Sequence, residues 1–494
     1  TFNNSTINGG MLASGENVKF NDAESITENI QLTFNNSTVS GVTTTDSNSA
    51  LNLNLNNSNW TTKAFIDEDG VVQTTSLTNL DLNNGVVNLA NDNYQGIIIR
   101  GNLTGSGTFN LNTNIAENKS DRIVVKGTAE GNHKIGVTNQ GANVADGKVT
   151  LVETNGGNAA FSLTNPNNRV DLGAYQYFLT KEGNNWVLAH SKNAVTSNAP
   201  VLPSTPLLSS LANAQVSLRQ AQLLVVEDDL SGIHQRLGEV KNGEKGNVWV
   251  RNVNSRQKLA ALSTGESETS GFKQNVHSVQ VGADAAVTDN LRVGGFVGRS
   301  QANVDFNGHY GDGKVRSNSV GLYAAYLGDN GIYVDNIVKY SRLHANSDLT
   351  EKRHYNAYTI SSELGKRFSL ANDWTITPQA QLAWTHISSQ ENEDSLSSVY
   401  SRIGLRVAKG FALSNGWNLQ PYAEVNAITS KNRSSKIHYT NSALDVASSR
   451  GRFESAVGLN AGFANHRFGL EVSRADGKNF DKPYAIQAVY RYQW

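Results

Sequence analysis

The sequence predicts an all-β protein with one long helix: a right-handed parallel β-helix stem, then a 12-stranded antiparallel transmembrane β-barrel with the helix in its lumen. Three observations support this fold class. An Asn-rich near-repeat marks the first part of the chain, a proline-bounded helical pattern follows it, and the final half alternates apolar and polar residues. The predicted domains are a stem over 1–119, a cap over 120–190, a linker and pore helix over 191–246, and a barrel over 247–494.

Composition excludes several functional classes. The 494 residues carry 42 Lys and Arg against 43 Asp and Glu, a net charge of -1, whereas nucleic-acid-binding proteins normally have a basic excess. Without cysteine, the chain can form no disulfide, thiol nucleophile or cysteine metal site. We expect no signal peptide at its start, because the first residues are neither basic nor apolar. No apolar run is long enough for a spanning helix, but barrel strands need none.

The stem prediction depends on a near-repeat of the type Phe-Asn-Asn-Ser-Thr. Its first asparagine recurs at Asn3, Asn35, Asn56 and Asn83, with spacings of 32, 21 and 27 residues. Asparagine and glycine accept the left-handed backbone of tight turns, and a repeat of this length is typical of solenoid coils. We therefore expect the asparagine of one coil to stack on that of the next. An Asn-rich β-sandwich is the alternative.

Short apolar strands with turn residues between them predict the cap. The segments 175–180 and 185–188 form a predicted hairpin around 181–184. A solenoid needs a terminal element that pairs its last edge, and this block is the natural candidate.

The pore helix follows a linker that begins at Ser191 and contains Pro200, Pro203 and Pro206. Proline is favoured at the first position of a helix, so Pro206 marks the predicted start. Apolar residues then recur at helical spacing to about Val240, which predicts one helix of about 35 residues and ~50 Å. Because polar residues lie along its whole length, we expect polar surroundings.

The barrel prediction depends on strict alternation. Tyr484 and Ile486 share one face of the last strand, while Gln487 and Arg491 share the other. About twelve such segments occur at intervals of ~20 residues, which accommodates a ~10-residue spanning strand and its connection. Aromatic residues at the strand ends are typical of interfacial girdles, and twelve strands enclose room for a helix. A soluble barrel is the alternative, but it leaves the external apolar face unexplained.

This order of stem, cap, helix and barrel resembles a monomeric (type Va) autotransporter, close to the diffuse-adherence adhesin and pertactin-like group. The resemblance covers the whole chain. Its most specific segments before the helix are 102–109 with 120–125, and 170–177, which looks like the family's autochaperone cap. In the barrel they are 247–251, 421–426 and 490–494.

The resemblance implies a monomeric barrel in the outer membrane, surrounded by outer-membrane lipid, and a passenger exposed at the cell surface or secreted. It also implies that Tyr490, Tyr492 and Trp494 are read by the barrel assembly machinery. The implied function is secretion and surface display of the chain's own β-helical passenger, an adhesin with a host-surface or self-association ligand. Two alternatives remain: the translocator end of a secreted hydrolase or protease with its catalytic domain upstream, and an outer-membrane channel.

Glu227, Asp228 and Asp229 lie together in the predicted pore helix. They are the candidate catalytic residues for self-cleavage, because paired carboxylates could attack a strained peptide bond, as in relatives that cut their own linker. The alternative, which we favour, is charge pairing with lumen arginines such as Arg402 or Arg406, because buried carboxylates need partners.

We expect the helix to stay uncut. Serine-protease members of the family have an Asn-Asn cut site near this point, whereas Ser231 and Gly232 stand at the approximate equivalents here. The chain also has no nucleophile motif, phosphate-binding loop or metal-ligand spacing. We therefore expect no enzyme activity within these residues, no cofactor and no metal.

Overall fold

The computed structural model describes residues 1–14, 28–45, 48–66, 68–89, 93–140, 147–195, 201–239, 242–440 and 442–494. Residues 196–200 and 240–241, which include Pro200 of the predicted linker and Val240 of the predicted helix end, lie outside the described residues. The chain forms two compact units. One is Thr1–Ser209 with Tyr439–Ser442, and the other is Ser210–His438 with Ala443–Trp494.

The stem unit is a parallel β-solenoid built on two sheets. Within the described residues, the larger sheet has eleven strands: Phe2–Asn3, Thr6–Ser14, Asn29–Asn35, Thr38–Thr45, Ala50–Asn56, Asn59–Thr62, Asn79–Leu89, Leu103–Asn114, Lys119–Ser120, Asn132–Asn139 and Ala160–Leu163. The smaller sheet has seven: Thr75–Leu77, Ile97–Ile99, Ile123–Val125, Lys148–Thr154, Val170–Leu172, Tyr175–Glu182 and Asn185–Ala189. Phe65–Ile66 and Val72–Gln73 form a separate hairpin, and the 3-10 turns are Ile115–Glu117, Pro166–Asn168 and Lys192–Ala194.

The near-repeat stacks on itself, as the sequence predicts. Asn3 pairs in register with Asn35, Asn35 with Asn56, and Asn56 with Asn83. The Asn35 side-chain amide donates to Asn3 Oδ1 at 2.7 Å, and that of Asn56 donates to Asn35 Oδ1 at 2.8 Å. The following asparagines turn the chain in the left-handed region; they are Asn4, Asn36, Asn57 and Asn84, with φ of 48°, 48°, 45° and 56°. The amides of Asn35 and Asn56 are therefore each bound by the asparagine of the preceding coil.

Antiparallel strands end the solenoid. Lys148–Thr154 pairs in parallel with Ile123–Val125 on one side and antiparallel with Asn185–Ala189 on the other. Asn185–Ala189 forms a hairpin with Tyr175–Glu182, which confirms the predicted hairpin. Parallel pairing continues past residue 119, as far as Ala160–Leu163. The hairpin therefore covers an edge that would otherwise expose unpaired backbone groups.

An aromatic row fills the stem core near this end. His133 is buried between Phe109 and Phe161, with ring centroids 5.9 and 5.4 Å away, and Phe161 contacts Trp186 at 5.6 Å. His133 Nε2 lies 2.8 Å from the Glu130 carbonyl oxygen. Burial lowers the pKa of the His133 imidazole, because an apolar environment disfavours the charged ring.

Twelve long antiparallel strands form the closed barrel. They are Gly246–Leu259, Phe272–Ala286, Leu291–Phe306, Asp312–Leu327, Ile332–Ser347, Arg353–Lys366, Trp374–Ile387, Leu396–Lys409, Trp417–Asn432, Arg452–Phe463, His466–Gly477 and Phe480–Gln493. The last strand pairs with the first and closes the ring. The shorter elements between these strands in the chain are Phe368–Ser369, Ala371–Asp373, Phe411–Ala412, Lys436–Tyr439 and Ser442–Asp445.

The apolar face of the barrel points outward. Tyr484, Ile486 and Leu405 are 44%, 45% and 41% exposed, while their neighbours Gln487 and Arg406 are buried. A soluble barrel would bury these apolar side chains instead. The structure therefore confirms the predicted membrane-type alternation.

The pore helix is shorter than predicted and broken in two. Helix α1 spans Ser210–Asp228 and helix α2 spans Ile233–Leu237, so the prediction of one continuous helix is wrong. The start shifts because residues 207–209 are extended: the Leu207 carbonyl accepts from the Gln176 amide, and the Ser209 amide donates to the Ala174 carbonyl, at 2.8 and 2.9 Å. Among the described residues, no helix combines the length and apolar character of a membrane span.

Gly232 lies in the break between the helices. Its backbone is extended, with φ −77° and ψ 173°. A Cβ atom there would lie 2.5 Å from Gln235 Oε1 and 2.6 Å from Glu363 Oε1. The break thus lies close to polar side chains of the lumen, a proximity that helical periodicity does not reveal.

Candidate functional site

Helix α1 is enclosed by the barrel on every side. All residues from Ala212 to Glu227 are buried, and the helix contacts the strands Leu291–Phe306, Asp312–Leu327 and Ile332–Ser347. A helix buried around its whole circumference normally has apolar surroundings. This one carries buried Asn, Gln, Ser and Arg side chains, so it requires a polar wall.

Polar contacts hold the first half of α1 to the barrel loops. Asn213 donates to Ser270 Oγ at 2.9 Å and accepts from the Ser270 amide at 2.9 Å. The Arg219 guanidinium donates to the carbonyl oxygens of Asp394 and Ser388 at 2.7 and 3.2 Å, and lies 4.9 Å from the Tyr355 ring centroid. The helix is thereby fixed in the lumen rather than loosely accommodated.

The carboxylates of Glu227 and Asp228 reach different parts of the wall. Glu227 Oε1 accepts from Ser430 Oγ at 2.5 Å. Asp228 accepts from Lys482 Nζ at 2.7 Å and from Ser255 Oγ at 3.0 Å. The two groups therefore do not converge on a shared atom, as a pair of catalytic acids would.

Asp229 has a third, separate set of partners. Its Oδ1 accepts from Gln280 at 2.8 Å, and its Oδ2 lies 3.3 Å from Lys339 Nζ. The side chains of Lys339 and Asp229 are almost fully buried, and such pairs need complete hydrogen bonding to offset the cost of desolvation. Lys482 and Lys339, rather than Arg402 or Arg406, thus pair with Asp228 and Asp229, while Glu227 is bound to Ser430.

The two arginines form ion pairs with the wall itself. Arg402 lies 2.6 Å from Glu363 and 3.4 Å from Glu424. Arg406 lies 3.7 Å above the Tyr422 ring centroid, and its closest carboxylate oxygens, on Glu239 and Glu424, are both 3.9 Å away. Glu239 follows α2, so Arg406 connects the wall to the chain segment that leaves the lumen.

A second buried ion pair lies at α2, and sequence reasoning did not find it. Arg236 and Asp335 are 2.6 Å apart, and the Arg236 guanidinium lies 4.2 Å from the Tyr323 ring centroid. The sequence does contain a sign of it: on the strand Ile332–Ser347, Asp335 and Lys339 fall on the inward-facing positions of the two-residue alternation. Alternation shows that these charges face the lumen, but it does not identify their partners.

A polar cavity of about 90 Å³ lies beside the acidic residues. Glu227, Asp228, Arg251, Arg402 and Lys482 are among its lining residues. The space is sufficient for a few water molecules, while the carboxylates are already bound to Ser430, Lys482 and Ser255. The arrangement pairs the charges of Asp228 and Asp229 with lysines of the wall.

The three C-terminal aromatic residues lie at the seam of the barrel. The Trp494 carbonyl accepts from the Lys245 amide at 3.0 Å, and the Trp494 amide donates to the Gly246 carbonyl at 3.1 Å. Tyr490 Oη lies 2.6 Å from His466 Nδ1 on the outer face, and Tyr492 is exposed on the same face. They therefore lie where the last strand joins the first.

Two family models match the chain. The model for the autotransporter beta-domain matches residues 248–473, and the model for pertactin matches residues 77–190.

The curated relatives include two autotransporters and one serine protease. The BrkA autotransporter of Bordetella pertussis is 27% identical over 349 residues, which cover 66% of this chain and 33% of the relative. The pertactin autotransporter of Bordetella bronchiseptica is 28% identical over 381 residues, covering 66% and 41%. Serine protease EspP of Escherichia coli is 24% identical over 321 residues, covering 58% and 24%.

The chain spans between a quarter and about two fifths of the length of these relatives. The two family matches fall on the two structural units already described, the stem with its cap and the closed barrel with its enclosed helix. Residues 248–473 are therefore an autotransporter beta-domain, an outer-membrane barrel, and residues 77–190 match pertactin.

Proposed function

We propose that this chain carries its own β-solenoid passenger across the outer membrane and displays it at the cell surface. The observation that supports the proposal most directly is α1, which is buried inside the barrel and follows the stem without interruption in the chain. A segment held in the bore connects the passenger to its membrane anchor. An open channel is disfavoured because the same segment occupies the conduction path.

The passenger is proposed to be an adhesin of the pertactin-like or diffuse-adherence type. Stacked coils repeat the same amide and hydroxyl groups along the stem surface, as the rows of Asn3, Asn35 and Asn56 illustrate. Repeated polar groups suit a host surface or a second copy of the same stem. The competing proposal is a hydrolase or protease passenger upstream, since one relative is a serine protease. A hydrolysis assay on the protein encoded by the full reading frame distinguishes the adhesin from the enzyme proposal.

The segment 120–190 is proposed as the template on which the passenger folds after export. Its support is the antiparallel hairpin Tyr175–Glu182 and Asn185–Ala189, which offers a formed edge to the parallel coil beside it. We further propose that Tyr490, Tyr492 and Trp494 are recognised by the barrel assembly machinery, because they lie at the closing seam.

We propose that the chain is not cut at Glu227, Asp228 or Asp229. The backbone is helical through Asp228, and each carboxylate has its own wall partner. On a denaturing gel the protein should migrate as one band of 53.3 kDa. A separate, stable barrel fragment that disappears in Asp228→Asn would contradict this proposal.

Display is tested by labelling intact cells. An epitope is inserted at Gly70, in the exposed turn between Ile66 and Val72, and a matched epitope is inserted in the short barrel turn at Asn330. Antibody should label the first on intact cells and the second only after permeabilisation. Labelling of both only after permeabilisation would contradict secretion of the passenger.

A further inference from the structure

Three arginines form a basic patch on the outer face of the barrel. Arg299, Arg316 and Arg342 lie on three successive strands, and all three are exposed. Asn318 pairs in register with Arg299 on one side and Arg342 on the other, and Arg316 precedes it by two residues on the same face. Strand separation of about 4.8 Å and a repeat of about 6.8 Å place the three Cα atoms roughly 8–10 Å apart.

The patch has no internal counter-charge. In the part of the chain that the structure describes, none of Arg299, Arg316 and Arg342 forms an ion pair or a side-chain hydrogen bond. By contrast, the outward Arg474 on another strand pairs with Asp476 at 3.0 Å. Three unpaired guanidinium groups on neighbouring strands repel one another, so the arrangement is unfavourable unless an anion joins them.

The patch borders the apolar band on the loop side of the barrel. Tyr326 and Arg316 are ten residues apart on one strand, about 33 Å at 3.3 Å per residue, or about 25 Å after allowing for a tilt of about 40°. That is roughly the height of the apolar band in such barrels. Arg316 therefore lies at one membrane interface, and Tyr326 lies at the other.

The interface beside Arg316 is the outer one. Both ends of the barrel sequence, Gly246 and Trp494, lie at the opposite rim, together with the short turns 287–290 and 328–331. The connections on the patch side include the longer 260–271 and 433–451. Outer-membrane barrels place short turns in the periplasm and long loops outside.

We propose that the basic patch binds the phosphate groups of a phosphorylated glycolipid in the outer leaflet. The guanidinium fork matches phosphate oxygens and gives bidentate, charge-assisted hydrogen bonds. Val297 and Val320 are exposed apolar residues immediately on the membrane side of the patch. They pair in register on neighbouring strands. They offer a surface for acyl chains under the same headgroup.

The apolar neighbours favour a lipid over a soluble polyanion. A polyanion from outside would contact the arginines but would gain nothing from Val297 or Val320. Lys314 extends the patch toward the loop, and His344 and His354 lie beside it with ring centroids 4.4 Å apart. This inference concerns the membrane anchor and holds whichever passenger the barrel carries.

Native mass spectrometry of the full chain, released from a non-ionic detergent, provides the test. Diphosphoryl lipid A should remain bound as a discrete adduct, and the dephosphorylated lipid should bind at least tenfold more weakly. The variant Arg299→Gln/Arg316→Gln/Arg342→Gln should lose affinity by about fivefold for each charge removed. The triple Lys variant keeps the charges but loses the bidentate fork, so its affinity should lie between those of the parent and the triple Gln variant.

Arg474→Gln is the matched control, since it removes an outward arginine that is already paired; its affinity should stay within twofold of the parent. Heat-dependent gel migration shows whether each barrel is folded, and the single variants Arg316→Gln and Arg342→Gln replace the triple one if it does not fold. Unchanged binding by the triple or single Gln variants overturns the proposal. So does equal binding of the dephosphorylated lipid, or stronger competition by dextran sulfate than by the lipid, which would assign the patch to a soluble polyanion.

Discussion

Arg236 of α2 and Asp335 of the barrel wall form an ion pair of 2.6 Å in which both side chains are 1% exposed. The guanidinium also lies over Tyr323, whose hydroxyl donates to Asp284 at 2.5 Å. The pair therefore ties the segment that leaves the lumen to a connected polar network on the wall.

Breaking this pair from one side should destabilise the barrel. Asp335→Asn leaves the buried Arg236 charge unneutralised, and removal of one partner of such a pair costs about 3–5 kcal/mol. The temperature at which the folded gel band converts to the unfolded one should fall. The exposed pair Arg474–Asp476 is the comparison, where Asp476→Asn should barely change this temperature because solvent screens the pair. Equal effects of the two variants would mean that burial of the pair is unimportant.

Removal of the pore helix should open a conducting path. Deletion of residues 207–238 takes away the side chains that fill the lumen, so single-channel conductance in a planar bilayer should rise well above that of the intact chain. The variant Asp228→Asn keeps the helix and should conduct like the parent. If the deletion changes nothing, the helix does not block the bore.

The stem positions where asparagine adopts a left-handed backbone should tolerate substitution by glycine better than by alanine. Asn57 has φ 45°, where a residue with a Cβ atom other than asparagine or aspartate is strained by about 1–2 kcal/mol. Asn57→Ala should therefore speed proteolysis of the stem more than Asn57→Gly. Asn56→Ala, which instead removes the amide bonded to Asn35, should cost about 1 kcal/mol.

The stem should lose stability in mild acid because of His133. Its pKa is lowered in the folded stem, so the unfolded chain takes up the proton more readily. The free energy of unfolding of the stem is then highest above pH ~6.5, the pKa of the His133 imidazole in the unfolded chain, and falls as the pH drops below it. Hydrogen exchange of the strands Leu103–Asn114 and Asn132–Asn139, corrected for intrinsic rates, should show greater opening at pH 5 than at pH 8. His133→Phe keeps the contacts with Phe109 and Phe161 and should remove most of this dependence.

The local sequence pattern predicted the outward faces of the barrel strands but not the polar contacts inside the lumen. The two-residue period of extended backbone shows which face of each strand is apolar. Tyr484 and Ile486 could therefore be placed outside from the sequence alone. The partners of Asp228 and Asp229 could not be identified in this way. Lys482 and Lys339 come from distant strands, and only closure of the ring brings them to the helix.

The sequence by itself determined the class of this protein: stacked coils from the recurring asparagines, a hairpin after them, and twelve strands with an outward apolar face. Only the tertiary structure decided where α1 ends, which charges meet in the lumen, and that Arg299, Arg316 and Arg342 share one patch in a chain of net charge -1. The physical reason is the distance along the chain over which each interaction acts. Turn preference and alternation arise within a few neighbouring residues, whereas ion pairing and steric exclusion depend on the register of strands far apart in the chain.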